Sequence, residues 1–180
     1  MPMPFLPEIL LAAALLTAAA PQEREAAEHE IKAAFLYNFA AFTEWPSSAF
    51  SNRESPFLIG VVGRDPFGSI LEETFRGKDV GGRRITVKRA SDVKELGACH
   101  LVFVPASERE KTARILESLK ESPTLIVGEA EGFTATGGCI GFFAEGRKVR
   151  FEVNLQAVNR AGLKVSSKLL RLARVVEGQK

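Results

Sequence analysis

Three short uninterrupted apolar runs constrain the fold most: Phe57-Leu-Ile-Gly-Val-Val-Gly63, His100-Leu-Val-Phe-Val-Pro105 and Thr124-Leu-Ile-Val-Gly128. A strand covered on both faces reads this way, because neither face has to be polar. Between the runs, apolar residues recur at helical spacing. Phe67, Ile70, Leu71, Thr74 and Phe75 share one helical face, and so do Ile115, Leu116 and Leu119. Asp65 reads as an N-cap with Pro66 at the first helical position. Residues 91–97 read as a short helix, and Ser107 with Glu110 as a capping box. Strands alternating with helices predict a single three-layer α/β/α domain around a mostly parallel sheet.

The two ends of the chain extend this frame. Residues 139–144 and 148–153 flank Glu145-Gly146-Arg147 and predict a C-terminal β-hairpin. A short helix follows, closed by Gly162. Ser166 or Ser167 then caps a last helix that turns Leu169, Leu172, Ala173 and Val176 inward. Near the start, Ile31, Phe35, Phe39, Phe42 and Trp45 recur at steps of four and three, predicting a helix that runs to about Glu44 and buries that stripe. Pro46 stops it.

Before that helix, Ile9–Ala20 is an apolar run too short to span a bilayer, with small residues at Ala18-Ala19-Ala20. Residues 1–20 therefore read as a signal peptide cleaved near Ala20, retention as a membrane anchor being the alternative. The folded domain is expected over residues 23–176. A net charge of +2 points to no partner class, but its distribution does. Arg147, Lys148, Arg150, Arg160, Lys164, Lys168, Arg171 and Arg174 face a single acid, Glu152, within residues 147–174. That segment is either a solvated basic face or a surface for an acidic partner or anionic ligand. Nucleic acid is disfavoured, since no basic patch is interleaved with aromatics and no recognition motif occurs.

Cys99 and Cys139 form one disulfide in an oxidising compartment if their Cα atoms lie within about 7 Å. Otherwise each packs as a small hydrophobe. The only histidines are His29 and His100, and no spacing matches a metal-ligand set. No cofactor motif occurs: Gly60, Gly63 and Gly68 match neither a dinucleotide nor a Walker pattern. No nucleophile–base pair or acid pair is nameable, except that Ser166 and Ser167 have Lys164 as a candidate base. Two kinds of site remain. Phe42, Trp45 and the basic C-terminal segment suit contact with a protein. Arg150, Asn154, Lys164, Ser166 and Ser167 suit a polar pocket between the last strand and the last helix, taking a small carboxylate or phosphate.

The ordered set Ile31-Lys-Ala-Ala-Phe-Leu-Tyr-Asn-Phe39, Thr43-Glu-Trp-Pro46, Val62-Gly-Arg-Asp-Pro-Phe-Gly68, Gly128, Gly137-Gly138, Arg150-Phe-Glu-Val-Asn-Leu155 and Gly162–Ala173 resembles the YfiR family across nearly all of the chain after residue 20. The resemblance implies an exported periplasmic protein with no enzymatic activity and no cofactor. It implies a repressor that binds the periplasmic sensor domain of an inner-membrane diguanylate cyclase, or serves a sensor kinase, and so acts on cyclic di-GMP signalling and biofilm growth. It also implies homodimers, and disulfides linked to redox sensing; this chain has two cysteines, fewer than a two-disulfide design needs.

Overall fold

The computed structural model describes residues 21–177. The proposed signal peptide, residues 1–20, lies outside the described residues. Helix α1 (Pro21–Ala41) leads into a two-residue strand, β1 (Thr43–Glu44), and a loop with a 3-10 turn at Ser47–Ala49. Then follow β2 (Phe57–Val62), α2 (Ile70–Phe75), β3 (Asp79–Val80), β4 (Arg83–Ala90), α3 (Val93–Leu96) and β5 (Leu101–Val104). A 3-10 helix over Ala106–Lys111 runs into α4 (Thr112–Leu119). The chain finishes with β6 (Leu125–Gly128), β7 (Ile140–Glu145), β8 (Lys148–Asn154), α5 (Leu155–Arg160), β9 (Lys164–Val165), α6 (Ser167–Leu170) and β10 (Arg174–Val176).

Eight strands form the main sheet in the order β10-β8-β7-β6-β5-β2-β4-β3. All three apolar runs become central parallel strands: β2 pairs with β4 and β5, and β5 pairs with β6. The expected hairpin is β7–β8, antiparallel, with Gly146 at positive φ in its turn. Register separates the two covered faces. Val61 lies opposite Phe103, and Phe103 rests edge-on against Phe67 at 4.9 Å. On the other face Gly60 lies opposite Val102. A Cβ at Gly60 would come within 2.9 Å of Leu96 in α3, so this glycine lets α3 approach closely.

Helix α1 seats on the first face through aromatic rings. Phe39 meets Phe151 at 4.8 Å and Phe142 at 5.5 Å, and Phe35 meets Phe151 at 5.2 Å. The fully buried residues are Lys32, Ala33, Leu36, Phe39 and Ala40, with Phe35 half-buried beside them, so the expected stripe holds at Phe35 and Phe39 and is corrected at Ile31 and Phe42. Ile31 is 46% exposed and Phe42 37%. Small Ala33 and Ala40 share the inner face with Leu36 and Phe39, so the face is turned from the Ile31–Phe42 line toward these residues. The helix also stops short of Glu44, because Thr43 and Glu44 are extended and pair antiparallel with Val165 and Lys164 of β9.

Other expectations are corrected as well. The last helix is only Ser167–Leu170; Arg174–Val176 is a strand parallel to β8, and Leu172 is 67% exposed. Ser107 and Glu110 form no capping box, since the 3-10 helix starts at Ala106 without a side-chain cap. Asp65 accepts the Phe67 amide at 2.8 Å, but the helix itself opens later, at Ile70.

Gly128 and Gly138 bracket the buried ring of Phe133, and a Cβ at either position would overlap that ring. Gly138→Ala is expected to lower the unfolding free energy by about 1–3 kcal/mol. Urea denaturation reads this directly, and an unchanged midpoint would mean the ring is free to move aside.

Candidate functional site

The β1–β9 ribbon brings the end of α1 to the C-terminal segment. The Ser166 amide donates to the Phe42 carbonyl at 2.9 Å, and the Lys168 ammonium lies 5.9 Å from the centre of the Phe42 ring. Two predicted contact groups, the aromatic helix end and the basic segment, are therefore neighbours at Phe42 and Lys168. Exposed Leu172 follows Lys168 closely in sequence. Beyond it the Arg174 guanidinium lies 4.1 Å from the Phe143 ring centre and 3.9 Å from the Glu152 carboxylate. Trp45 does not join this surface. It is half-buried against Phe57, and its indole N–H donates to the His100 carbonyl at 3.2 Å.

Of the five residues expected to line a polar pocket, Lys164, Ser166 and Ser167 stay together on β9 and α6, while Asn154 and Arg150 are engaged elsewhere. Asn154 is buried; its Oδ1 accepts the Ala157 amide at 3.0 Å and its Nδ2 donates to the Thr134 carbonyl at 2.9 Å, so it caps α5. Arg150 pairs with Glu145 on the exposed hairpin at 3.0 Å. The Ser166 hydroxyl accepts the Leu169 amide, capping α6. Lys164 is exposed in β9, and Ser167 opens α6. A groove of about 470 Å³ does exist elsewhere, at the amino ends of β6 and β7. Leu116, Leu119 and Ile126 line it, and its edge carries charges of both signs, Glu117, Lys120 and Arg160, so it selects no anion.

In open α/β sheets ligands usually enter at the carboxyl ends of strands, where the strand order reverses. Here that crevice lies between β2 and β5, and the chain fills it. A Cβ at Gly63, whose φ is +77°, would overlap the carboxylate of buried Glu108. Lys111 neutralises that carboxylate at 2.8 Å. One strand further along, buried Lys32 holds Glu129 and Glu28, each at 2.6 Å, while Glu129 also accepts the Ala106 amide at 2.9 Å. Burial opposes the charge on Lys32, but its hydrogen bonds to the two carboxylates outweigh this and raise its pKa.

Cys99 and Cys139 are buried and free, so the expected alternative of a disulfide gives way to packing. They precede β5 and β7, with β6 running between those strands. Two strand spacings, about 10 Å, exceed what a disulfide spans. Burial pushes the Cys139 thiol up to about 11 and raises that of Cys99. Neither thiol is expected to react with Ellman's reagent in the native protein, and both should react in denaturant. Native labelling of either would contradict this packing.

A histidine that the sequence reading passed over holds the loop before β2. The His100 ring stacks between Phe50, at 4.4 Å, and Phe57, at 4.9 Å. Its Nδ1 accepts the Leu58 amide at 2.9 Å, so Nε2 carries the proton and donates to the Ala49 carbonyl at 3.0 Å. Arg83 covers the outer face of Phe50 at 3.9 Å and donates to the Asn52 and Ser55 carbonyls. Burial, aided by the Arg83 charge, pushes the His100 pKa below its ordinary value, outweighing the Ala49 hydrogen bond. The unfolded imidazole, at about 6.5, then binds a proton more readily than the folded one. Stability from this group is complete above about pH 6.5 and is lost as pH falls through the folded value. Urea denaturation between about pH 8 and pH 5 should show that decline. His100→Phe should flatten it, at a cost of about 1–3 kcal/mol for the unpaired Leu58 amide.

Comparison with known proteins agrees with this architecture. A conserved domain protein from Vibrio cholerae O1 biovar El Tor aligns with a TM-score of 0.50 and 10% identity, over 66% of this chain and 54% of that one. An ABC domain from Streptococcus pneumonia, solved in complex with L-Trp, aligns with a TM-score of 0.50 and 12% identity, over 66% and 55%. The chain thus spans about half the length of these structures, and at such identity the likeness is one of fold alone. A family model, YfiR/HmsC-like, matches residues 29–174, from the first helix to the last strand. The chain belongs to the YfiR/HmsC-like family.

Proposed function

We propose that this chain is an exported periplasmic regulator that represses an inner-membrane diguanylate cyclase by binding its periplasmic sensor domain. The observation that carries the reading is the family match over residues 29–174. The family is one of periplasmic regulators of cyclic di-GMP signalling. The surface supports contact as the mode of action. Phe42 is an exposed apolar group beside Lys168, and exposed Leu172 follows Lys168 in a segment that also carries Arg171 and Arg174. An exposed aromatic beside a basic segment suits an acidic protein face.

Repression then works as a population shift. The chain binds the low-output state of the sensor more tightly than the high-output state, and the difference in affinity sets how far the equilibrium moves. No bond is made or broken in this mechanism. The Ser166 hydroxyl, the nearest thing to a nucleophile with a neighbouring lysine in sequence, is occupied as a helix cap. Residues 1–20 serve as the export signal, and the folded domain begins with α1.

In host cells lacking the gene, cyclic di-GMP should rise, and the wild-type chain should lower it again. Phe42→Glu combined with Lys168→Glu should fail to lower it, while the purified variant keeps its unfolding midpoint. Cyclic di-GMP left unchanged by deletion of the gene would overturn the cyclase assignment.

A further inference from the structure

The main sheet has two edges, and the one away from β10 is longer and largely uncovered. Strand β3 pairs only with the first two residues of β4, Arg83 and Arg84. Residues Ile85 to Ala90 pair inward with β2, residue for residue from Phe57 to Val62. On their outer side no strand pairs among the described residues. In a parallel ladder the backbone groups alternate between the two neighbours, so about half of those in Ile85–Ala90 face outward unpaired.

We infer that the outer edge of β4 is a second docking surface, which takes an extended acidic segment of a partner protein as an added strand. Charge identifies the occupant. Arg84, Thr86 and Lys88 alternate along β4 and share one face of the sheet. Arg84 and Lys88 are exposed. Arg84 has no ion pair among the described residues, and the Lys88 ammonium reaches only the Leu96 carbonyl, at 3.4 Å. The acids at neighbouring α3 are already engaged: Asp92, which caps it, accepts the Lys94 amide and pairs with Arg114 at 3.8 Å, and Glu95 accepts the Ser91 hydroxyl. On the opposite face Arg89 is neutralised by Asp65 and Glu72, and Arg83 is held by the loop at Asn52 and Ser55. The charge left for a partner is therefore Lys88, with Arg84 four residues before it on the same face and opposite Asp79 of β3.

These charges also argue against a second copy of this chain. Because β3 already pairs with Arg84, a β4–β4 pair has only Ile85–Ala90 to use, and an antiparallel pair centred on Lys88 sets that ammonium against its own copy. An incoming strand along Ile85–Ala90 sets one acid opposite Lys88 and another opposite Thr86, diagonal to Arg84, while its backbone completes the ladder. Ile85 and Val87, half-buried and β-branched, keep the edge extended and ready for pairing. This surface does not depend on the Phe42 contact, so one chain can hold a partner at each.

The test uses two fluorescent peptides of about eight residues, one alternating Glu with Val and the other Lys with Val, and amide exchange read residue by residue on the purified chain. The Glu peptide should bind, weaken with added salt, and protect alternate amides within Ile85–Ala90. Arg84→Glu with Lys88→Glu should weaken it about tenfold and bring on binding of the Lys peptide, while β2 amides stay protected. Protection confined to residues 164–176 would overturn the inference. So would equal binding of both peptides, or β4 protection that rises with the concentration of the chain alone. Phe42→Glu should leave peptide binding unchanged, which separates this surface from the proposed sensor contact.

Discussion

The seating of α1 on the β7–β8 hairpin is the interaction on which the rest of this structure depends. Phe35 and Phe39 meet Phe142 and Phe151, and the contact continues through Phe103 to Phe67. Edge-on and tilted rings at these separations add to the apolar area they bury. The same seating places Lys32 against Glu129, and places Phe42 where β1 can pair with β9. The exposed aromatic beside the basic segment is a product of that packing.

The central strands were legible because they are buried on both faces, which leaves an uninterrupted apolar run that nothing else at that length explains. Phe57–Val62 and Leu101–Val104 needed no further information. The ends of the chain were harder. Leu169, Leu172 and Val176 fit helical spacing, but Arg174-Val175-Val176 pairs with β8, and only the tertiary neighbour decides between the two. The aromatic stripe of α1 held at Phe35 and Phe39 and failed at Ile31 and Phe42. Large rings dominate any periodicity count, whereas Ala33 and Ala40 mark the face that comes closest to the sheet.

Of the site residues, the sequence identified Phe42 and the basic segment but not their meeting, which is made by backbone pairing between β1 and β9. Trp45 and Asn154 were named for function and turn out to be bound inward, one to the His100 carbonyl and one as a cap. His100 left no signal because both its partners are backbone groups. Periodicity and motif spacing register side chains, and a histidine that grips main chain is invisible to both. The crevice filled by Glu108 was equally hidden, since a buried glutamate in a polar stretch looks like any surface acid.

The distance along the chain between α1 and its platform carries a consequence for how the molecule is made. A polypeptide released amino end first exposes Leu36 and Phe39 long before Phe142 and Phe151 exist to receive them. The nascent first helix therefore has no platform for these side chains until the hairpin is made. The seat of α1 is completed only by residues from the last third of the chain, so its burial is among the most non-local contacts of the fold.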